Sequence, residues 1–97
     1  MTGIEMIERE RVRQANIEGF DFAHDDKHDT GQLAIAAAAY AAPDDVRHDS
    51  SILEWWPFAN SWWKPATDDS TEGRVRELAK AGALIAAEID RIHRAQK

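Results

Sequence analysis

The chain contains no cysteine, and this absence excludes two kinds of site. Disulfide bonds and zinc sites built from thiolates both require cysteine, and its absence indicates a reducing cytosol. The N-terminal residues lack the apolar core of a secretion signal, and no apolar run approaches the roughly 18 residues of a membrane span. We therefore expect a soluble cytosolic protein.

Basic residues are also in short supply. Lysine and arginine together number 12, against 18 aspartates and glutamates, which gives a formal net charge of −6. Non-specific binding to a nucleic-acid duplex needs a basic face, so we expect no duplex partner. A small anion held by a few local cations is compatible with this charge. The content of 43% apolar and 31% charged residues indicates one small globular domain over residues 1–97.

The sequence also lacks the motifs of several common enzyme classes. No serine lies in a G-x-S-x-G context, no glycine-rich phosphate loop occurs, and the metalloprotease motif H-E-x-x-H is missing. We therefore assign no catalytic residue, cofactor or metal ligand. The sequence favours a binding protein over an enzyme.

No strand pattern appears, and three helices are predicted. The predicted fold is all-α: a small three-helix domain with a long tryptophan-rich connector between the second and third helices. The first helix spans about residues 4–17. It begins at a capping box of Thr2 and Glu5, in which each side chain satisfies an amide of the first turn, and it ends at Gly19.

The second and third predicted helices are expected to pack together. The second has Thr30 as its N-cap, consists largely of alanine, and ends at Pro43. The third begins at a capping box of Asp69 and Glu72, and its apolar seam advances in steps of three and four residues: Val75, Leu78, Gly82, Ile85, Ile89 and Ile92. A glycine inside a helix costs about 1 kcal/mol, which close contact between Gly82 and the alanine face would offset. We therefore expect these two helices to be antiparallel, with the first lying across them. The seam is equally compatible with a second copy of the chain, that is, with a homo-oligomer.

All four tryptophans lie within nine residues of the long connector, residues 43–70. One interpretation is that the indoles pin the connector onto the helices, because each can bury a large area. The other is that one or two of them stack on a base or similar ring, with Lys64 nearby for a phosphate. The two interpretations are compatible, since a domain this small cannot easily bury four indoles. Trp56, Trp62 and Trp63 are expected to matter most, and Trp55 least.

The shorter connector, residues 19–29, contains the sequence HDDKH. Its polar residues are of the types that bind zinc, manganese or iron, but their spacing matches no recognised metal motif: His24, Asp25, Asp26 and His28. The simpler interpretation is an aspartate-rich loop that bonds its own backbone and pairs with arginines such as Arg11, Arg13 or Arg76.

Cations recur one helical turn apart in two places. Arg76 and Lys80 lie near the start of the third helix, where the helix dipole favours an anion, and Arg9 and Arg13 repeat the spacing on the first. A solvated face is the usual explanation of such pairs, and an anion site is the alternative.

Most of these polar and aromatic residues belong to one extended pattern that covers nearly the whole chain. It reads E-R-x-R-Q, E-G-W/F, H-D-D-x-H, G-E-L-A, W-P-W/F, W-W-K-P and finally K-A-G-A-L-I-x-A-E-I-E-R. The residues that fit it include Glu10, Arg11, Arg13, Gln14, Glu18, Gly19, His24, Asp25, Asp26, His28, Gly31, Leu33, Trp56, Pro57, Trp62, Trp63, Lys64, Pro65, Arg76, Leu78, Lys80, Gly82, Leu84, Ile85, Glu88 and Arg91. Gln32 and Ala79 depart from it, and Trp55 falls outside it. With this pattern the chain resembles a group of small bacteriophage and prophage accessory proteins of undefined activity.

The resemblance implies a viral protein that acts in the host cytoplasm, where small phage proteins often counter host defence. If the connectors and the start of the third helix converge, aromatic walls, carboxylates for ribose hydroxyls and cations for phosphates would form one pocket. We therefore predict a counter-defence protein that sequesters a nucleotide-like small molecule through Trp56, Trp62, Trp63, Lys64, Arg76, Lys80, His24, Asp25, Asp26, His28 and Arg13.

Two alternatives remain open. One is an inhibitor that blocks a host defence protein complex, in the manner of an anti-CRISPR protein, through an acidic surface around Asp44 and Asp45 or Asp68 and Asp69. The other is a small metal-dependent nucleotide hydrolase that uses the HDDKH segment.

Overall fold

The computed structural model describes residues 1–47, 49, 51–67 and 70–96. Its helices are α1 (Gly3–Asn16), α2 (Phe22–Asp26), α3 (Gln32–Ala41), α4 (Asp44–Arg47), α5 (Ile52–Trp55) and α6 (Thr71–Ala95), with one turn of 3₁₀ helix at Asn60–Trp62. The described part of the chain contains no strand, so the all-α prediction is confirmed. The long helices α1, α3 and α6 are the three predicted ones, and the short helices lie in the two connectors.

Helix α1 begins as predicted. The Thr2 hydroxyl accepts from the Glu5 amide at 3.2 Å, and the Glu5 carboxylate accepts from the Thr2 amide at 3.0 Å. After the helix, Gly19 adopts a φ of +76°, which glycine tolerates better than other residues, and the Phe20 amide donates to the Gln14 carbonyl. This turn directs the Phe20 ring into the core.

The other two long helices begin one residue later than predicted. The N-cap of α3 is Gly31, at a φ of +90°, and the Thr30 amide donates to the Gln32 side chain instead. The N-cap of α6 is Ser70, whose hydroxyl accepts from the Gly73 amide. The predicted cap Asp69 lies outside the described residues. Both starts contain several capping residue types in succession, and the backbone rather than residue type decides among them.

Helices α3 and α6 are antiparallel, as predicted. Arg74, in the first turn of α6, donates to the carbonyls of Tyr40 and Ala41 at the end of α3. At the opposite end, Asp26 pairs with Arg94 in the last turns of α6. The guanidinium of Arg74 therefore satisfies carbonyls that α3 leaves without a helical partner.

The sequence leaves the α6 seam compatible with the core or with a second copy of the chain, and its large residues do not pack into the core. Its large members are 40–49% exposed: Leu78, Ile85, Ile89 and Ile92. The buried face of α6 consists mainly of small residues: Gly73, Glu77, Ala79, Ala81, Ala83, Leu84 and Ala87. The alanine face of α3 is buried in one cluster with Ala81, Leu84 and Ala87 of α6, and two faces of small side chains permit close approach of the helices. The homo-oligomer stays a prediction.

Gly82 makes its close contact with α1 rather than with the alanine face. A Cβ at this position would lie 2.5 Å from Cδ1 and 2.7 Å from Cγ1 of Ile7. The glycine was therefore correctly predicted to allow a close approach, but the partner helix was wrong. The contact also places α1 against α6, one of the two helices that it was predicted to lie across.

The core receives part of its volume from the long connector. Ile52 and Trp56 are buried with the alanines of α3, and Phe58 and Trp63 pack against them from the side. No helix among the described residues combines the length and the apolarity that crossing a membrane requires.

Candidate functional site

A groove of about 550 Å³ lies between α1, the end of the long connector and the N-terminal half of α6. Its walls contain five cationic side chains, two carboxylates and three apolar residues: Arg9, Arg13, Lys64, Arg76, Lys80, Glu10, Glu18, Met1, Met6 and Ala79. The volume is within the range typical of small-molecule sites. Because the whole chain carries a net charge of −6, this concentration of cations makes the groove a local positive site.

Two of the cations are held in place by carboxylates. Glu10 accepts from Arg13 Nε at 2.9 Å, and Glu18 lies 3.3 Å from the same guanidinium. The hydrogen bond that Arg13 donates to Glu10 is the main cause that raises the pKa of Arg13 above its ordinary value. Glu18 also lies 3.7 Å from Lys64 Nζ. Glu18 thus joins a cation of α1 to a cation of the connector, which fixes this wall of the groove.

Lys80 connects the groove to the core. Its ammonium donates to the Lys64 carbonyl at 3.2 Å and lies 5.3 Å from the centre of the Tyr40 ring. Burial is the main cause that lowers the pKa of Lys80 below its ordinary value. A half-buried ammonium with one protein acceptor retains donor capacity for a ligand, since an ammonium has three N–H groups.

Arg9 and Arg76 are two exposed arginines of the groove. Within the described residues neither forms an ion pair. Their guanidinium groups can therefore bind an incoming anion without first breaking an internal pair. Arginine is well suited to this, because its planar fork can donate two parallel hydrogen bonds to a phosphate or carboxylate.

A smaller cavity of about 20 Å³ adjoins the groove, and we call it the recess. Glu18 and Lys80 belong to the walls of both. The remaining walls are mainly aromatic and apolar: Gln14, Phe20, Ala36, Tyr40, Trp56, Phe58, Trp62 and Leu84.

Tyr40 holds the connector at the back of the recess. Its hydroxyl accepts from the Lys64 amide at 3.0 Å and donates to the Trp62 carbonyl at 3.4 Å. Burial raises the pKa of Tyr40 to about 12, so this hydroxyl remains a donor at neutral pH. The residues on either side of Trp63 are thereby fixed to α3.

Some of the tryptophans pin the connector onto the helices, and another is placed where it could stack on a ligand ring. Trp56 is 8% exposed, and its Nε1 donates to the Ala59 carbonyl at 3.1 Å. Trp63 packs 4.8 Å from the Tyr40 ring and 5.0 Å from Trp56, between ring centres. Trp62 is 41% exposed and has Lys64 Nζ 5.7 Å from its ring centre. Two indoles therefore anchor the connector, and a third lies at the surface beside the groove.

The carboxylates of the HDDKH segment are directed at arginines. Asp25 is fully buried and accepts from Arg11 at 2.9 Å, while Asp26 pairs with Arg94 at 2.7 Å. In the described part of the chain, no three histidine, aspartate or glutamate side chains form a group that could hold a metal ion. The simpler interpretation, an aspartate-rich loop paired with arginines, fits this arrangement, and Arg11 is one of the predicted partners.

The two histidines of this segment pack on aromatic rings. His24 stacks on Phe20 with ring centres 4.2 Å apart, and His28 lies edge-on to Phe58 at 4.9 Å. Phe20 and Phe58 line the recess, so the histidines extend the aromatic cluster beyond the recess lining.

The structure brings together only some of the predicted site residues. Arg13, Lys64, Arg76 and Lys80 line the groove, and Trp56 and Trp62 line the recess. Trp63 lies in the aromatic core, and the HDDKH residues line neither space: His24, Asp25, Asp26 and His28. The carboxylates of Asp25 and Asp26 are directed at Arg11 and Arg94 and not into the groove or the recess, and their role toward ribose hydroxyls stays a prediction.

Four residues line these spaces without having been predicted to do so: Arg9, Glu10 and Gln14 of α1, and Glu18 just after it. Three of them are part of the extended sequence pattern described above. Arg9, Glu10, Arg13 and Gln14 follow helical spacing, which places them along one side of α1. That spacing was the available signal, and it was assigned to a solvated face.

Comparison of the chain with protein-family models, with characterised proteins and with solved structures gives no match. The resemblance to phage accessory proteins therefore stays a prediction.

Proposed function

We propose that this chain binds a phosphate-bearing, nucleotide-like small molecule in the cationic groove. The observation that carries the proposal is the collection of five cationic side chains, from α1, the connector and α6, around one groove of an acidic protein. Such a collection is electrostatically costly without an anion, because like charges repel at short range.

The charges of the groove indicate how many negative charges the ligand carries. Glu10 and Glu18 form ion pairs with Arg13 and Lys64. Three cations are therefore available to bind the ligand: Arg9, Arg76 and Lys80. Three available cations suit two or more phosphate charges better than a single carboxylate. Each charge-assisted hydrogen bond contributes about 1.5–3 kcal/mol.

Trp62 makes a nucleotide a better candidate than an inorganic polyphosphate. Its indole is exposed beside the groove, and stacking of a base on an aromatic side chain contributes about 1–3 kcal/mol. A ligand with phosphates in the groove and a planar ring on Trp62 uses both features.

The biological role that we propose is sequestration of a nucleotide-derived defence signal in the cytoplasm of an infected bacterium. This part rests on the resemblance to phage accessory proteins. The groove itself supports binding.

Isothermal titration calorimetry with cyclic dinucleotides, ADP-ribose, ADP and pyrophosphate tests the proposal. We expect at least one nucleotide to bind, pyrophosphate to bind more weakly, and the double variant Arg9→Ala/Arg76→Ala to lose tenfold or more in affinity. Lys27→Ala is the matched control, since Lys27 is exposed but lies outside the groove. Binding should also weaken as salt is raised.

Absence of heat with every probe would contradict the proposal. Co-purification with a host protein complex, abolished by charge reversal at Asp45, would then favour the protein-blocking alternative.

A further inference from the structure

The recess contains a buried hydrogen-bond acceptor that lacks a donor. The Gln14 side chain is 3% exposed, and among the described residues nothing donates to its Oε1. Leaving such a group unpaired is costly, and buried side-chain oxygens in folded proteins nearly always have a partner.

The orientation of this amide is set by Glu10. A carboxylate only accepts, so the amide nitrogen of Gln14 faces Glu10, at 3.4 Å, and Oε1 is directed away from it. Glu10 is itself fixed by Arg13. The reversed amide would bring two oxygens together, which excludes it on electrostatic grounds.

The size and walls of the recess restrict the missing donor. A volume of about 20 Å³ holds one group of the size of water, and a base or sugar ring is too large for it. An amino group is of similar size to water and supplies the required N–H. The surrounding rings shield a hydrogen bond made there from solvent, which strengthens it.

We infer that the recess receives an amino group carried on the planar ring of the ligand, with Gln14 Oε1 as its acceptor. This inference rests on the proposed function, because it requires the phosphates of the same molecule to lie in the groove. Glu18 and Lys80 form walls of both spaces, so one ligand can occupy them together. The ring then lies at the mouth of the recess, against Trp62. The ligand class is a nucleotide whose base bears an exocyclic amine: adenine, guanine or cytosine.

Matched nucleotide pairs test the inference on the unmodified protein. The members of each pair differ at one base amino group: ADP and purine riboside diphosphate, GDP and IDP, CDP and UDP. We expect one pair to show about a tenfold preference for the amino form by calorimetry, the effect of a single hydrogen bond to a group that would otherwise stay unpaired.

The variant Gln14→Met removes the acceptor while approximately keeping the side-chain volume. This variant should bind the amino and the non-amino nucleotide with about equal affinity, and its affinity for the non-amino nucleotide should match that of the unmodified protein. Lys27→Ala, outside both spaces, should leave the preference unchanged. If Gln14→Met fails to fold, the preference measured on the unmodified protein still decides.

Three results are distinguishable. A preference that Gln14→Met removes supports the inference. Binding of both members of every pair with equal affinity overturns it and leaves the proposed function standing, with a structural water as the occupant of the recess. Absence of binding by all six nucleotides overturns the inference, and the proposed function is contradicted as well if cyclic dinucleotides and ADP-ribose also fail to bind.

Discussion

Asp25 and Arg11 show how much a single pair of residues decides in a domain of this size. The carboxylate is fully buried, and Arg11 also donates to the Phe20 carbonyl at 3.0 Å. Removing Arg11 breaks a buried pair and leaves the carboxylate with His24 Nδ1, 3.0 Å away, as its side-chain partner. Breaking a buried pair by removing one partner costs about 3–5 kcal/mol. The pair therefore couples α1 to α2 and to the turn between them.

Arg11→Met should lower the free energy of unfolding by about 3–5 kcal/mol for this reason. Arg9→Met is the control, because Arg9 lies two residues away on the same helix, is exposed, and forms no ion pair among the described residues; it should change the free energy by less than about 0.5 kcal/mol. Urea denaturation measures both. Equal changes in the free energy of unfolding for the two substitutions would show that the buried pair of Arg11 and Asp25 does not stabilise the fold more than an exposed arginine does.

Gly82 is a second position where one residue sets the packing. In the unmodified protein Gly82→Ala should destabilise by about 1 kcal/mol, since the new methyl group collides with Ile7 and overpacking outweighs the gain in helix propensity. In the background of Ile7→Ala the same substitution should stabilise by about 1 kcal/mol, because only the propensity gain remains. A double-mutant cycle by thermal or urea unfolding measures this change of sign. If Gly82→Ala changed the free energy of unfolding in the same direction in both backgrounds, the contact between Gly82 and Ile7 would not be the cause.

At the scale of the helices, the ends were predicted to within a residue or two, and the buried face of α6 was not predicted. The capping box of α1 and the end of α3 before Pro43 follow from local chemistry, and both were predicted correctly. The face of α6 does not follow from its own periodicity. A stripe of isoleucines is the more apolar face, but the alanine surface of α3 accepts small partners, so tertiary packing selects the other side.

The long connector should separate into an anchor and a site when its tryptophans are replaced. Trp63→Ala removes an indole packed on Tyr40 and Trp56, and it should lower the free energy of unfolding by about 3 kcal/mol. Trp62→Ala should cost less than about 1 kcal/mol, because its ring is 41% exposed, yet it should weaken nucleotide binding about tenfold. Urea denaturation and calorimetry on both variants decide. The reverse assignment of the two effects would contradict this division.

The segment after α2 should make stability depend on pH. Burial, helped by the positive charges of His24 and Lys27 and opposed by Asp25, lowers the pKa of His28 below its ordinary value of 6.5. The unfolded chain therefore binds a proton more readily than the folded one, and this contribution to stability is present above pH 6.5 and is lost as the pH falls below it.

The urea concentration at the unfolding midpoint of the unmodified protein should thus decrease when the pH is lowered from 7.5 to 5.5. The decrease should be smaller in His28→Gln. Identical pH dependence in the two proteins would remove His28 as the cause.

At the scale of the whole molecule, the distribution of charge is the central feature. The chain is acidic, yet the groove collects cations from three segments of the chain: α1, the long connector and α6.

The sequence could identify Arg13, Lys64, Arg76 and Lys80 as candidates, because each lies in a recognisable local pattern. It could not show that they share one groove, nor that Asp25 and Asp26 turn away from it, because those facts depend on how α1 crosses α6. Gln14 was missed for the same reason. Its side chain matters because it is buried, and the burial of a polar residue on a helix cannot be predicted from the sequence alone.

A crystal structure of the protein with the tightest-binding nucleotide of the calorimetric series tests the central claim most directly. We expect phosphate oxygens within hydrogen-bond distance of Arg9, Arg76 and Lys80, and the base on the indole of Trp62. A nucleotide bound at the histidine side of the aromatic cluster, or on the exposed face of α6 with the groove free of phosphate, would contradict it.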